Sequence, residues 1–237
     1  MKYKTQRLVV RYEREFNPPI FWESHSIAQV LKGLYSLINP KYPVPMTNLQ
    51  ALAGNSLADT GAKVILFNGN GIIEIGSEKF TAHFMNLANQ QDIETVKDCV
   101  SLAEEGLCQA IPEIKFKNAK IKTSSWLSIE DSEKEKDEIF RKFGNPNFAI
   151  EEEAFNATEI EYRPSGTLKN KNDGWVVNFQ LEKSQISGSD LFFIFDIEYF
   201  DGGKYNRLED RADHASSTCF KILADFGLEP VNGFGKD

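Results

Sequence analysis

The chain has little cysteine, little histidine and no long apolar run, and each shortage removes a class of function. Its 237 residues include three cysteines and three histidines. Cys99, Cys108 and Cys219 are odd in number, far apart and free of any CxxC pair, which argues against a disulfide framework or a zinc knuckle. Each falls in a helix-like pattern, where a thiol usually serves as a small apolar group, and a reducing cytoplasm is the expected setting. No segment approaches the ~20 uninterrupted apolar residues that a membrane helix needs, and "MKYKTQRLVVRYERE" has no signal-peptide core. The signatures GxxxxGK[ST], GxSxG, HExxH and the EF-hand loop are missing. "GNGIIEIG" at Gly69–Gly76 runs into a strand, so it offers a phosphate no helix N-terminus and reads as a turn. No metal or cofactor is implied.

Positive charge is also short, with a formal net charge of −8. Residues 1–118 balance at 12 basic and 12 acidic, while residues 119–237 hold 15 and 23 and carry the whole excess. An acidic surface repels phosphate backbones, so general nucleic-acid binding is not expected. One local exception stands at the N-terminus, where Lys2, Lys4, Arg7, Arg11 and Arg14 crowd into one strand. Either they solvate an edge strand, or Arg7, Arg11 and Arg14 form a patch for an acidic partner.

Periodicity organises the rest. "QRLVVRY" reads as a strand. "SHSIAQVLKGLYSLI" reads as a helix from about Ser26, with Ile27, Val30, Leu31, Leu34, Leu37 and Ile38 on one face. Residues 39–61 form a long Pro- and Gly-bearing connection with a short helix at "MTNLQALAG". "KVILF" and "GIIEI" flank the hairpin turn "NGNG". "EKFTAHF" is a third strand, with Phe80, Ala82 and Phe84 on one face and Thr81 and His83 on the other. A helix over Gln91–Ala110 closes this half before Pro112. The order then recurs: the strand "KFKNAKIKTSSWLSI", a helix over 132–144, a strand near Pro164, and the alternating strands "DGWVVNFQLEK" and "DLFFIFDIEYF". The closing helix is "RLEDRADHASSTCFKILADFG". The fold class is therefore α+β, with two successive β-α-β-β-β-α halves, 1–112 and an acidic 113–237, whose antiparallel sheets can join under covering helices.

On the last helix, Leu208, Ala212, Ala215, Cys219, Ile222, Leu223 and Phe226 make a buried stripe, while Asp210 and His214 fall on the far, solvent side as an i,i+4 pair. No second histidine-bearing element points there, so a metal site is not expected. Asp196 and Glu198 share a strand face, and two carboxylates in differing environments can divide acid and base roles. With His83 they are the candidate catalytic residues. The opposing reading is a solvated sheet face.

The run "NGNGIIEI", "EKFTAHF", the long amphipathic helix and "AKIKTSSWLSI" together resemble a sporadically distributed, uncharacterised bacterial family whose duplicated halves are SecB-like. The resemblance implies a chaperone-like, non-enzymatic protein that acts through contacts. The expected function is thus a cytoplasmic binding or assembly protein that holds a protein partner or its own copy through sheet faces or edges. The alternative is a small-molecule-binding protein or enzyme of hot-dog or helix-grip type, with a cavity under the meander strands.

Overall fold

The computed structural model describes residues 1–22, 24–53, 59–130 and 165–231. Within them the order is β1 (Lys2–Phe16), α1 (Ser24–Ile38), β2 (Leu49–Leu52), β3 (Gly61–Leu66), β4 (Gly71–Ile75), β5 (Lys79–Leu87), α2 (Gln90–Ala110), β6 (Phe116–Ile129), β7 (Ser165–Asn170), β8 (Trp175–Lys183), β9 (Leu191–Tyr199), α3 (Leu208–Asp225) and β10 (Glu229–Pro230). The chain is α+β, with one large sheet and three helices among the described residues. The helix expected over 132–144, the strand break at Pro164 and the acidic run at 151–153 lie outside those residues.

Nine strands run in the order β2-β3-β4-β5-β1-β6-β9-β8-β7, and β10 adds to the end of β1. Every neighbouring pair along that path is antiparallel. The two groups of strands join where β1 pairs with β6, from Tyr3–Ile129 to Phe16–Phe116. Outside β1 come β5, β4 and β3; outside β6 come β9, β8 and β7.

Alternation explains which face is covered. On β9, Leu191, Phe193, Phe195 and Ile197 are all 0% exposed, while Phe192, Ile194, Asp196 and Glu198 between them stay partly open. On β5, Phe80, Ala82 and Phe84 are buried. These rows face the helices, and with Val30, Leu34 and Ile38 of α1 and Val96, Val100, Ala103 and Leu107 of α2 they make one core. The start of α2 is fixed by a capping box, in which Asn89 accepts from the Asp92 amide and the Asp92 carboxylate accepts from the Asn89 amide, satisfying donors that the first helical turn leaves open. Helices α1 and α2 meet backbone to backbone, for a Cβ on Gly33 would stand 2.6 Å from the Gly106 carbonyl oxygen. Glycine is required by that approach.

Four sequence expectations change. The first strand is far longer than "QRLVVRY". Nor is it an edge, because β5 and β6 flank it on both sides; its charges are tolerated because most of them fall on the face that no described helix covers. The "MTNLQALAG" stretch is one 3-10 turn, Met46–Asn48, followed by the edge strand β2. The third change is that His214 lies against the sheet rather than in solvent. Lastly, Arg14 sits on the helix side, apart from Arg7 and Arg11.

Candidate binding surface on the open sheet face

Side chains alternate across a strand, so residue parity assigns each to a side. The odd residues of β1 from Arg7 to Glu15, the even residues of β6 from Asn118 onward and of β9, and their register partners all point away from α1, α2 and α3. Among the described residues no helix covers this face.

Its most distinctive part is aromatic. Trp126 on β6 and Phe192 on β9 are register partners, and their rings stand 4.7 Å apart at 38°. Arg7, opposite Trp126 on β1, places its guanidinium carbon 5.1 Å from the Trp126 ring, a cation–π distance. Val9 and Ile194 extend the apolar area, and both are partly open. Neither Arg7 nor Lys122 has a carboxylate partner among the described residues.

Beside this patch the charges are already paired. Glu13 takes both Arg11 and Lys79, Lys120 meets Asp196 at 2.9 Å, and Lys63 meets Glu74 at 2.8 Å. The two cations hold the Glu13 carboxyl below its usual range against the opposing effect of burial. A side of paired charges and a side of aromatics with cations that lack carboxylate partners among the described residues can discriminate between partners.

The structure places all three candidate catalytic residues on this face without bringing them together. One cross-sheet row reads Ile72, His83, Arg11, Lys122, Asp196, Asn178, Thr167. His83 and Asp196 are three strands apart, about 14 Å at the usual strand spacing, with two cations between them. Glu198 lies two residues along from Asp196 on the same strand. Burial, with help from Arg11 and against Glu74, holds His83 below its usual pKa. Arg11, Glu13, Lys120, Lys122 and Asp196 line a shallow charged depression. Of the three arginines proposed as a patch, Arg7 and Arg11 share this face, while Arg14 ion-pairs with Glu104 of α2 at 3.3 Å on the other side.

Sequence reasoning passed over Trp126 and Phe192. The signal was parity: Trp126 is aromatic in a register otherwise held by Lys120, Lys122, Ser124 and Ser128, and Phe192 in one shared with Ile194, Asp196 and Glu198. An aromatic on the polar parity of a strand is a surface feature, not core.

On α3 the helical-wheel reading errs by a rotation. Arg211 is 5% exposed, and His214 packs into an aromatic cluster, stacked on Tyr205 at 4.1 Å and 5.2 Å from the Trp175 ring. The wheel averaged two apolar directions, one toward the sheet and one toward α2, and so placed the polar arc too near the sheet. Tyr199 donates its hydroxyl proton to the Arg211 carbonyl at 2.8 Å, so His214 Nδ1 donates to the Tyr199 oxygen at 3.1 Å and Nε2 is left to accept. Asp210 is exposed and takes no part. Among the described residues no three His, Cys, Asp or Glu gather as metal ligands.

Burial holds the His214 pKa below the ordinary 6.5, opposed by Asp173 and assisted by Lys204. The unfolded chain therefore takes up this proton before the folded one does. The His214 contribution is complete above about pH 6.5 and is lost as acidification passes through that value toward the lower folded pKa. His83, shifted the same way, adds to the trend. The expected result is that wild type loses more stability than His214→Phe between about pH 7.5 and about pH 5.5, the range where histidine titrates. Urea midpoints at several pH values check it, and parallel curves would remove His214 as the cause.

No family model matches the chain, and no curated protein matches it. Among solved structures the chain is similar to "Methanococcus jannaschii TBP", at 14% identity over 95% of this chain and 98% of that one, with a TM-score of 0.30. That likeness is slight. No described helix is long and apolar enough to cross a membrane.

Proposed function

We propose that the chain is a non-enzymatic, cytoplasmic binding or assembly protein that holds a protein partner against the open face of its sheet. The observation that carries this reading is the partly open Arg7–Trp126–Phe192 stack, with Val9 and Ile194 beside it and Lys122 nearby, which has no carboxylate partner among the described residues. Aromatic and arginine side chains dominate the energetic centres of protein interfaces. The matching partner is a protein segment with apolar side chains next to acidic ones, although this chain is itself acidic overall. Beneath the function we read two related halves, 1–112 and 113–237, joined edge to edge through β1 and β6, the first departing from the expected β-α-β-β-β-α plan by the additional edge strand β2. The matched strand orders around that junction, and the helix that follows the outer strands on each side, support the duplication. The SecB-like resemblance agrees with a protein that works by contact alone.

The test is affinity capture with the wild-type chain and with Trp126→Asp in parallel. A specific protein retained by wild type and lost with the variant is the expected result. Identical retention by both chains, or none by either, rejects the surface. A normal far-ultraviolet circular dichroism spectrum for the variant confines the effect to the face.

A further inference from the structure

Left-handed backbone at residues other than glycine is gathered in one place. Among the described residues it occurs at Phe67 (φ 50°), Asn68 (φ 55°) and Asn86 (φ 59°). Phe67 and Asn68 open the turn from β3 to β4. Asn86 belongs to a bulge in β5, where Met85 and Asn86 together oppose Val9 of β1. A phenylalanine is strained in that region, and strained residues cluster at ligand sites, where the surroundings hold them against the strain. Bulges likewise re-aim side chains beside such sites.

The turn and the bulge are locked together through Asn70. Asn86 Nδ2 donates to Asn70 Oδ1 at 2.7 Å, the Met85 amide donates to the Asn70 carbonyl at 2.8 Å, and Asn70 Nδ2 donates to the Phe67 carbonyl at 3.2 Å. With the start of α2 they border an open cleft of about 420 Å³, within the range of roughly 300–1,000 Å³ usual for ligand clefts.

The lining has a definite chemistry. Tyr42 and Phe67 meet as a corner of two rings, 5.6 Å apart at 79°, and Phe84 follows 6.3 Å from Phe67. Phe84 is buried, whereas Phe67 is 39% exposed, so the strained turn presents an open ring. Asp92 is the one charged residue in the lining, and no lysine, arginine or histidine contributes to it. Asp92 Oδ2 accepts from the Ala88 and Asn89 amides at 2.7 and 3.2 Å. Its whole negative charge outweighs the roughly half positive charge of a helix N-terminus. Lys41 stands 5.7 Å from the Tyr42 ring without lining the cleft, and Asp98 neutralises it at 2.8 Å.

We infer that this cleft is a binding site for a small organic ammonium. Its cation lies against the aromatic faces, which attract positive charge through their quadrupoles, and Asp92 supplies the countercharge. A phosphate or carboxylate ligand would find no partner of opposite sign in the lining. The cleft shares no residue with the Arg7–Trp126–Phe192 stack.

Choline and 3,3-dimethylbutan-1-ol are the probes; the alcohol has the same shape with carbon in place of the charged nitrogen. Each is titrated into the full chain and followed by protein-observed NMR. Wild type is expected to bind choline and to hold the alcohol about tenfold more weakly or worse, the scale of a desolvated cation–π contact. Asp92→Asn keeps an oxygen for the helix amides and removes the charge. Phe67→Leu keeps apolar bulk and removes the ring. Each weakens choline by about fivefold or more while changing the alcohol little. Trp126→Asp leaves choline binding intact, which separates this site from the proposed partner surface. Circular dichroism confirms the fold of each variant, and Asp92→Asn alone decides if Phe67→Leu does not fold. Failure of wild type to bind choline, equal affinity for the two probes, or unchanged choline affinity in a folded Asp92→Asn overturns the inference.

Discussion

Glu104→Ala is expected to lower folding stability by about 3–5 kcal/mol, the usual cost of removing one partner from a buried charge network. The Glu104 Oε1 atom accepts from the Tyr12 hydroxyl at 3.0 Å and from Arg14 Nη1 at 3.3 Å. The Tyr12 oxygen accepts in turn from Arg211 Nη1 at 3.3 Å, and Arg211 Nε donates to the Tyr205 carbonyl at 2.9 Å. The carboxylate therefore answers Arg14 directly and Arg211 only through the Tyr12 hydroxyl, with Arg14 11% open at its side chain and Arg211 5% exposed. Without it, Arg14 is left largely buried with no carboxylate, the Tyr12 hydroxyl loses its acceptor, and the connection between α2, β1 and α3 is cut at the junction of the two strand groups. Glu104→Gln keeps an acceptor oxygen and loses only the charge, so its loss is smaller, about 1–3 kcal/mol. Urea denaturation of the three chains checks the order wild type, Gln, Ala. A Glu104→Ala protein as stable as wild type would mean that water or rearrangement satisfies Arg14 and the Tyr12 hydroxyl.

Such a network is poorly legible in a sequence, and the reason is physical. Strand and helix identity follow from local alternation, so β5, β8, β9 and α2 were plain from the spacing of Phe80–Phe84, Trp175–Leu181, Leu191–Tyr199 and Val96–Leu107. The partners of Glu104 lie 90 residues away at Arg14, 92 at Tyr12 and, through Tyr12, on α3 at Arg211. No local period encodes them. Arg14 was grouped with Arg7 and Arg11 by closeness in sequence, yet its parity already differed from theirs. Strand β1 looked like an edge because charge usually marks edges; in this sheet charge marks an uncovered face, and only pairing on both sides reveals a central strand. The same uncovered face hid the candidate surface. Trp126 and Phe192 carry no sequence reading of their own; register is what places them among lysines, serines and carboxylates. The Gly33–Gly106 approach is also silent in sequence, since a glycine inside a helix reads only as a weak propensity.

Two neighbouring phenylalanines test the division of faces most sharply. Phe193 is 0% exposed at the centre of β9, paired with Ser125 on β6 and Leu181 on β8. Its replacement by alanine removes a whole ring from close-packed surroundings, which costs about 3–5 kcal/mol. Phe192, one residue earlier, is partly open and rests on Trp126. Phe192→Ala is expected to cost about 1 kcal/mol or less, the scale of one aromatic cross-strand pair. Binding should move the opposite way. Phe192→Ala dismantles the stack under Arg7 and Trp126 and should weaken retention of the partner, whereas Phe193→Ala, assayed at a temperature where it stays folded, should keep it. Urea midpoints and partner capture on the same two proteins give four readings from adjacent positions. If both variants lost stability alike, Phe192 would be core and the open face would be covered in solution. If Phe192→Ala kept both stability and partner, the stack would be surface without function, and the binding centre would have to lie elsewhere.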